Sequence, residues 1–171
     1  SEIQEKHFFW LELGLQTAHD RTAERINRCY PYAVYENVMK ELCERNIKVV
    51  THLILGLPGE TKKDMEESVH RVTKSGIWGI KLHLLNVVRG SRLAETDPDY
   101  VPFPSMEEYI NLVCDLIEII PKDIVIHRLT ADAPRGTLIA PSWSYRKRSI
   151  LNGINQELSR RGSIQGCRIS K

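Results

Sequence analysis

The feature that most restricts the fold is residues 47–57, IKVVTHLILGL, a nearly continuous apolar run rich in β-branched side chains. Such a run is typical of a strand inside a parallel sheet that is covered on both faces. Pro58 and Gly59 end the run, and Thr61 with Asp64 then has the spacing of a helix cap followed by an acidic third position. This strand–turn–helix unit predicts a protein of the α/β class.

The same unit recurs along the chain. Strand patterns at residues 8–16, 47–57, 79–87 and 123–130 alternate with helical patterns that begin near residues 20, 31, 61, 105 and 145. The alternation predicts about four parallel strands with right-handed crossovers and flanking helices. Four strands cannot close a barrel, so either an open sheet or part of a TIM-like (βα) barrel is expected. Long loops are predicted at 88–104 and 131–144, and the last ten residues are expected to be loosely held.

The helix predicted from Pro31 to about Asn46 has an apolar stripe. Val34, Val38 and Leu42 recur at helical spacing, which supports the helix. Cys43 and Cys114 fall on apolar helix faces and are expected to pack there as reduced thiols.

Charge and hydropathy limit the classes of function. The net charge of +2 is too small to indicate nucleic-acid binding by itself. The basic residues that gather late in the chain are most simply a solvated helix surface; they are Arg146, Lys147, Arg148, Arg160 and Arg161. Because the chain has neither an apolar run of about 20 residues nor a secretory signal pattern, we expect a cytoplasmic protein.

Polar residues recur on one face of three predicted strands. With a period of two, the shared faces hold Glu12, Gly14 and Gln16, then His52 and Gly56, then Lys81 and His83. Burying such groups without partners costs several kcal/mol, so this face is expected to line a polar cavity. Ligands of parallel sheets bind at the carboxyl ends of the strands, where Gln16, the 56–60 turn, Asn86 and residues 128–135 lie.

Several ordered motifs resemble the second half of a radical SAM (S-adenosylmethionine) domain. They are ELGLQT at 12–17, INR at 26–28, HLILGLPGET at 52–61, IKLH at 80–83, HRLT at 127–130 and APSW at 140–143. The pattern is similar to the coproporphyrinogen oxidase and elongator-catalytic-subunit branch, and most similar to the YhcC/YtqA-like radical SAM proteins. The resemblance covers nearly the whole chain, 1–171, and implies that residues 131–171 are a family-specific C-terminal extension.

The resemblance implies roles in SAM binding. Gln16 matches a glutamine at the strand end that contacts the SAM ribose, and Glu12 belongs to the same strand motif. Arg28 matches an arginine that contacts the SAM carboxylate, a role that suits a planar, permanently charged guanidinium. His52 stands where that branch has an aspartate near the adenosine.

The resemblance extends to the adenine pocket and the substrate. Gly56, Gly59 and Glu60 match a turn that packs against the adenine, and Leu84 is expected to line its pocket. The substrate is expected to be RNA or a nucleotide-like anion, with candidate contacts Lys81, His83, His127, Arg128, Asp132 and Arg135.

A radical SAM enzyme also needs a 4Fe–4S cluster, held by a CxxxCxxC loop in the first half of the domain. Cys29, Cys43, Cys114 and Cys167 lack this spacing. We therefore expect the chain to be the C-terminal part of a longer enzyme, whose missing N-terminal half holds the cluster. The full-length parent is expected to cleave SAM to a 5′-deoxyadenosyl radical, and this chain alone is expected to be inactive.

Two alternatives remain open. His52, His83 and His127 could gather around a metal ion in a metal-dependent barrel hydrolase, although the sequence has no HxH or HxxxH pair. The late basic helix, together with kinship to a tRNA-modifying branch, also fits a nucleic-acid (tRNA)-binding module. No resident metal ligands are predicted for this chain.

Overall fold

The structure, a computed structural model, describes residues 2–169. Its helices and strands follow the predicted alternation. In chain order they are α1 (Glu2–Lys6), β1 (Trp10–Gln16), α2 (Asp20–Arg25), α3 (Tyr32–Glu44), β2 (Lys48–Leu55), α4 (Lys62–Thr73), β3 (Gly79–Leu84), β4 (Val87–Val88), α5 (Arg92–Thr96), α6 (Met106–Ile119), β5 (Val125–Arg128), β6 (Leu138–Ala140), a 3₁₀ turn (Ser142–Tyr145) and α7 (Lys147–Arg161). Within residues 2–169, none of these helices is both long and apolar enough to cross a membrane.

Four strands form a parallel sheet in the order β1-β2-β3-β5, which confirms the predicted α/β class. The register aligns Gly14 with His52, His52 with Lys81, and Lys81 with Arg128. One face of the sheet packs with α3, α4 and α6 in a single hydrophobic core. The opposite face carries the polar residues that the sequence analysis singled out.

Local sequence explains where α4 and α6 begin. In α4, Thr61 Oγ1 accepts from the backbone N–H of Asp64, and the Asp64 carboxylate accepts from the backbone N–H of Thr61, so the predicted cap is reciprocal. In α6, Ser105 accepts from the N–H of Glu108 at 3.1 Å. The cap at Thr61 begins α4 soon after the turn that leaves β2, and the cap at Ser105 begins α6 at the end of the 88–104 segment.

Two segments predicted as loops contain regular structure. β4 and α5 lie at the start of the 88–104 segment, and β6 with the 3₁₀ turn lies in the 131–144 segment. β4 and β6 pair antiparallel, which joins the two segments across 50 residues of chain. The pattern search missed these elements because strands of two and three residues are too short to show a period.

The buried face of α3 is not the one that carries its valines. Val34 and Val38 are 44% and 38% exposed, whereas Tyr35 and Met39 are buried. The helix is rotated so that the Tyr35 hydroxyl meets Thr51 Oγ1 at 2.8 Å on the covered face of β2. Tyrosines bury more apolar area than valines and can satisfy a buried hydroxyl, which outweighs the valine stripe.

The C-terminal segment is docked, contrary to the prediction of a loosely held tail. The N–H of Gly166 donates to the carbonyl of Ile117 at 3.1 Å. The Gln165 amide donates to the carbonyls of Pro121 and Ile124, both at 2.7 Å. The last carbonyls of a helix have no intrahelical partner, so this segment satisfies groups at the end of α6 that would otherwise face water.

Candidate functional site

A cavity of about 650 Å³ opens beyond the carboxyl ends of β1, β2 and β3. Its apolar wall includes Ile54, Leu57, Pro58, Leu85 and Leu93, and its polar wall includes Gln16, Arg25, Arg28, Arg92 and Asp97. Apolar walls with a few converging polar groups are typical of small-molecule sites, and this edge is where ligands of parallel sheets bind.

Gln16 ends β1 in an unusual backbone conformation. Its φ of 66° lies in the left-handed region, which residues other than glycine seldom adopt, and the pairing of β1 with β2 shifts register between Gly14 and Gln16. The Gln16 side chain lies over Gly14, where a Cβ would come within 2.6 Å of Gln16 Nε2. A side chain at position 14 would therefore displace the Gln16 amide, which the bulge places at the cavity wall.

Arg28 lies beneath this strand end, with only 3% of its side chain exposed. Its Nη1 donates to the carbonyls of Leu15, at 2.8 Å, and Thr17. Its Nε donates to the carbonyl of Tyr30 at 3.0 Å, and its Nη2 to Asp20 Oδ1 at 3.2 Å. Four of the five guanidinium N–H groups are thus used within the protein, which leaves one on Nη2.

The predicted adenine-packing turn lies at the next strand end. Gly56 and Gly59 both have φ of 85°, which favours glycine. Gly56 is closely covered, since a Cβ there would lie 2.7 Å from the ring of Phe103, and its carbonyl accepts from the Tyr100 hydroxyl at 2.8 Å. Arg25 Nη1 lies against Gly59, 3.1 Å from where a Cβ would be. Gly56 therefore faces the packed loop, and the turn's Leu57 and Pro58 line the cavity.

Two other residues expected in the adenine pocket point into the protein. The Glu60 carboxylate accepts from the Thr17 hydroxyl, and burial raises the pKa of Glu60 above its ordinary value. Leu84 is 2% exposed and belongs to the helix-covered core, so it does not line the cavity. The period of two in a strand places Leu84 opposite to His83, and the following residue, Leu85, takes the cavity position.

The open face of the sheet carries a linked polar cluster. Glu12 Oε2 lies 2.6 Å from Lys81 Nζ and 3.0 Å from His52 Nε2, the latter without hydrogen-bond alignment. Trp10 Nε1 donates to the other carboxylate oxygen at 3.1 Å, and the His52 ring stacks on His83 with centroids 5.2 Å apart. The hydrogen bond from Lys81, and then that from Trp10, lower the pKa of Glu12 to about 2.

The surroundings of both histidines in this cluster lower their pKa values and so favour the neutral imidazole. Burial, and then the neighbouring Lys81 charge, lower the pKa of His52. Burial, and then His52 and Arg128, lower the pKa of His83 to about 4. Within residues 2–169 the Nε2 atom of His83 is buried without a hydrogen-bond partner, an arrangement that is uncommon in folded proteins.

His127 lies apart from these two histidines. Its ring contacts Trp78, with centroids 5.1 Å apart, and Trp10, at 5.8 Å. In the part of the chain that the structure describes, no three histidine, cysteine, aspartate or glutamate side chains are close enough to share a metal ion. The geometry therefore lends no support to a metal centre built on His52, His83 and His127.

The other substrate candidates divide between two places. Arg128 ends β5 opposite Lys81, so it joins the open face. Asp132 instead pairs with Lys147 at 2.6 Å, at the start of α7, and Arg135 is exposed in the turn before β6. The structure thus brings Lys81, His83 and Arg128 together but gives Asp132 a partner elsewhere.

The late basic residues are largely neutralised. Arg161 Nη1 lies 2.6 Å from Asp115, and Arg161 Nε lies 2.7 Å from Glu157. Glu157 also pairs with Arg160 at 2.7 Å. The Arg161–Asp115 contact joins α7 to α6, and the Glu157 contacts lie within α7, which fits a structural helix surface better than a nucleic-acid patch.

Two family matches together span most of the chain. Residues 1–72 match the Radical SAM superfamily, and residues 77–160 match the Radical SAM C-terminal domain. The chain belongs to the radical SAM superfamily. This confirms the resemblance drawn from the strand and turn motifs.

The chain is similar in sequence to several known proteins over different shares of its length. The chain is 40% identical to YtqA of Bacillus subtilis over 97% of its length and 37% identical to Protein YhcC of Escherichia coli K12 over 95%. It spans about half, 52%, of each of these relatives. It is also 30% identical, over 54% of its length, to a tRNA-2-methylthio-N(6)-dimethylallyladenosine synthase of Endomicrobium trichonymphae, of which it covers 22%.

The fold also matches a solved radical SAM structure. Archaeal Elp3 of Methanocaldococcus infernus, with residues 1–46 deleted, superposes with a TM-score of 0.80 at 16% sequence identity. The match covers 96% of this chain and 39% of that one. At this identity it shows a shared fold, and it confirms the parallel sheet with flanking helices as part of a radical SAM barrel.

Membership in the radical SAM superfamily implies SAM and a 4Fe–4S cluster as cofactors. The cavity fits a nucleoside such as SAM, because apolar walls adjoin the Gln16 amide. The chain's own cysteines do not fit a cluster: Cys29, Cys167 and, against prediction, Cys43 are exposed on separate segments, while Cys114 is buried in α6 as expected. The residues that the structure describes thus form a cavity that a nucleoside fits, and they show no cluster ligands.

Sequence reasoning missed several cavity residues of this radical SAM domain, among them Arg25, Arg92 and Leu85. Arg25 ends α2 and Arg92 begins α5, and neither lies in a segment whose period marks a ligand-facing position. Leu85 could have been found, because the period that groups Lys81 with His83 extends to position 85.

Proposed function

We propose that this chain forms the adenosyl-binding wall and the substrate-facing sheet of a radical SAM enzyme. The observation that carries the proposal is the strand-end cavity with the left-handed Gln16 at its wall. The backbone of Gln16 has a sparsely populated conformation, which the surrounding structure has to enforce. Such conformations cluster at binding sites.

The cavity residues suit the parts of an adenosyl ligand. The Gln16 amide can donate to and accept from ribose hydroxyl groups. Leu57, Pro58 and Leu85 offer an apolar surface to the adenine ring. Gly56 and Glu60 shape the turn from behind, with Glu60 held by Thr17.

Bound at a reduced 4Fe–4S cluster, SAM supplies the family's radical chemistry. The chain's own residues position the adenosyl group and exclude water from it. Because cluster ligands lie outside this chain's described residues, no electron-transfer step is assigned to it. A missing N-terminal half that holds the cluster, a family-specific 131–171 extension and a cytoplasmic location stay predictions.

The open face of the sheet is proposed to meet the substrate. Lys81 and Arg128 supply positive charge, His52 and His83 supply neutral imidazoles, and Glu12 orients Lys81. This set suits an RNA or another nucleotide-like anion, which accepts hydrogen bonds through phosphates and base edges. The similarity to a tRNA-modifying synthase supports RNA as the substrate class. His127 and Arg135 are candidate contacts at the margins of this face, and Asp132 stands with Lys147.

Isothermal titration of the chain with SAM and S-adenosylhomocysteine tests the proposal. Wild-type chain should bind both, and Gln16→Ala should weaken both by about tenfold, as expected for lost polar contacts. Gln156→Ala, at an exposed position of α7, is the matched control and should bind as wild type. Absence of binding by folded wild-type chain, or equal binding by Gln16→Ala, would contradict the proposal.

A further inference from the structure

We infer that Arg128 and His83 form an anion site on the open face of the sheet that binds a phosphodiester of the substrate, while Glu12 neutralises Lys81. The inference rests on the proposed substrate-facing sheet and names the chemical group that this face binds. It also distinguishes the two cations of the face, because the charge of Lys81 is paired and that of Arg128 is not.

The first step is the register shift that turns Arg128 onto the open face. Ile80 pairs with Ile126, but the next residue, Lys81, pairs with Arg128, so His127 is an extra residue in β5. Without the shift, alternation from Ile126, which packs against the core, would direct Arg128 to the covered face. Bulges of this kind re-aim side chains and are frequent next to active sites.

The second step is the difference between the two cations. Lys81 Nζ lies 2.6 Å from Glu12 Oε2, so the charge of this lysine is balanced. Arg128 is exposed, and in the described part of the chain its side chain makes no hydrogen bond or ion pair. Its five guanidinium N–H groups are therefore free, and two of them can donate in parallel to one phosphate.

The third step is the neighbouring imidazole. The buried Nε2 atom of His83 has no hydrogen-bond partner within residues 2–169, whereas buried polar atoms in folded proteins nearly always have one. Burial, then His52, then Arg128 lower the pKa of His83, so the guanidinium lies within electrostatic reach of this imidazole. Because a neutral imidazole has one N–H to donate, His83 can add a hydrogen bond to an anion that Arg128 binds.

The fourth step is the position of His83 beside the proposed adenosyl cavity. His83 is in register with Ile54, which lines that cavity. It also precedes Leu85, another cavity residue, by two positions, so the two side chains point to the same side. A group bound at His83 therefore lies next to the adenosyl ligand, where the substrate of an adenosyl radical has to lie.

Charge favours a phosphodiester as the bound group. Glu12 offsets the charge of Lys81, and the surroundings of the two histidines favour neutral imidazoles. The cluster therefore keeps a single uncompensated positive charge, on Arg128. A phosphodiester carries a single negative charge, and RNA, the proposed substrate class, presents one at each linkage.

Two dinucleotides separate this charge from the rest of the ligand: uridylyl-uridine (UpU) and its methylphosphonate analogue, whose linkage is uncharged. Amide and imidazole nitrogen chemical shifts of labelled chain measure the binding of each. Arg128→Gln should weaken UpU binding by about tenfold, as expected for a lost charge-assisted hydrogen bond, and should leave the analogue unchanged. UpU should also shift the Nε2 signal of His83 in wild-type chain.

Variants of the Glu12–Lys81 pair test which cation binds the anion. The double variant Glu12→Gln/Lys81→Gln removes both charges and should bind UpU within about twofold of wild type, because Arg128 is unchanged. Glu12→Gln alone leaves Lys81 unpaired and should strengthen UpU binding. Arg148→Gln, at an exposed position of α7, is the matched control for a lost positive charge and should change the binding of neither ligand.

Circular dichroism checks that each variant is folded. The inference would be overturned by equal losses for UpU and the analogue in Arg128→Gln, by an equal loss in Arg148→Gln, by a loss in the double variant as large as that in Arg128→Gln, or by an unshifted His83 Nε2 signal. Failure of folded wild-type chain to bind either dinucleotide would instead overturn the proposed substrate-facing sheet, so the two failures are distinguishable.

Discussion

Every strand of the parallel sheet contributes to a face covered by helices and to an open face. The two faces differ in how many polar side chains they carry and in whether these are hydrogen-bonded. On the covered face Val49, Leu53 and Leu82 are almost wholly buried. The polar side chain there, Thr51, is fully buried and bonded to Tyr35. On the open face charged and imidazole groups lie side by side, and buried Nε2 atoms remain without a hydrogen bond.

Within one strand, the residues on the covered face therefore contribute to stability, and those on the open face are placed to contact a ligand. Apolar burial on the covered face supplies the driving force for folding, at about 25 cal/mol per Å². The imidazoles of His52 and His83 on the open face gain little by folding, because their buried Nε2 atoms make no hydrogen bond. Substitutions at neighbouring positions of one strand should therefore have unlike effects, which the following experiments test.

The largest effect is expected on the covered face. Leu82→Ala should lower the free energy of unfolding by about 2–5 kcal/mol, because it opens a cavity among fully buried side chains. His83→Ala, one residue later on the open face, should cost at least about 1 kcal/mol less, since it removes a side chain with an unsatisfied buried atom. Urea unfolding measures both, and equal losses would show that the two faces do not differ as described.

A smaller effect is expected from the polar pair on the covered face. Tyr35→Phe should cost about 1–3 kcal/mol, because it leaves the Thr51 hydroxyl buried without its partner. The double variant Tyr35→Phe/Thr51→Val should recover part of that loss. Tyr145→Phe, which removes an exposed hydrogen bond to the Pro134 carbonyl, is the control and should cost less than Tyr35→Phe, because water can replace the lost hydroxyl. A double variant less stable than Tyr35→Phe alone would argue against this account.

The open face should show itself in the pH dependence of stability. The pKa of His83 is about 4 in the folded chain against an ordinary 6.5, so the unfolded chain binds this proton first. The contribution of His83 to the free energy of unfolding should therefore be complete above pH 6.5 and be lost as the pH falls from 6.5 towards 4. Below pH 4, protonation of His83 should cause no further loss. The groups that face His83 are His52, Lys81, Arg128 and Glu12.

Urea unfolding between pH 4 and 6.5 checks this prediction. His83→Gln should flatten the dependence, and His70→Gln, at an exposed position of α4, should leave it as in wild type. An unchanged slope in His83→Gln would mean that the imidazole is not held neutral on the open face.

Treatment with iron and sulfide under reducing conditions is expected to have no effect on the chain. Because the cysteines lie on separate segments, the chain should not acquire a stoichiometric 4Fe–4S cluster. Iron and sulfide analysis, with absorbance in the thiolate–iron region, measures this. A stoichiometric cluster would contradict the expectation that cluster ligands lie elsewhere.

Much of the fold follows from sequence because the signals are long and local. The apolar run that becomes β2 and the cap at Thr61 were both predicted, since each needs only neighbouring residues. The rotation of α3 was not, because it depends on Tyr35 meeting Thr51 across the core. The pairing of β4 with β6 was missed for the same reason, as it joins distant short segments.

The candidate site divides in the same way. The period of two found Glu12, His52, Lys81 and His83, which the structure places together. It could not show that backbone carbonyls would surround Arg28. Those carbonyls belong to the left-handed turn at Gln16, which no local sequence pattern predicts. Arg25 and Arg92 were missed because α5 and the end of α2 face the cavity only after the chain has folded.

The most direct test of the adenosyl site is a titration of isotopically labelled chain with S-adenosylhomocysteine, followed by amide chemical shifts. Saturable shifts should concentrate at the strand ends around Gln16, Leu57 and Leu85, while covered-face amides such as that of Leu53 change little. Shifts that avoid the cavity, or no shifts with the chain folded, would contradict the claim that this edge of the sheet binds the adenosyl group.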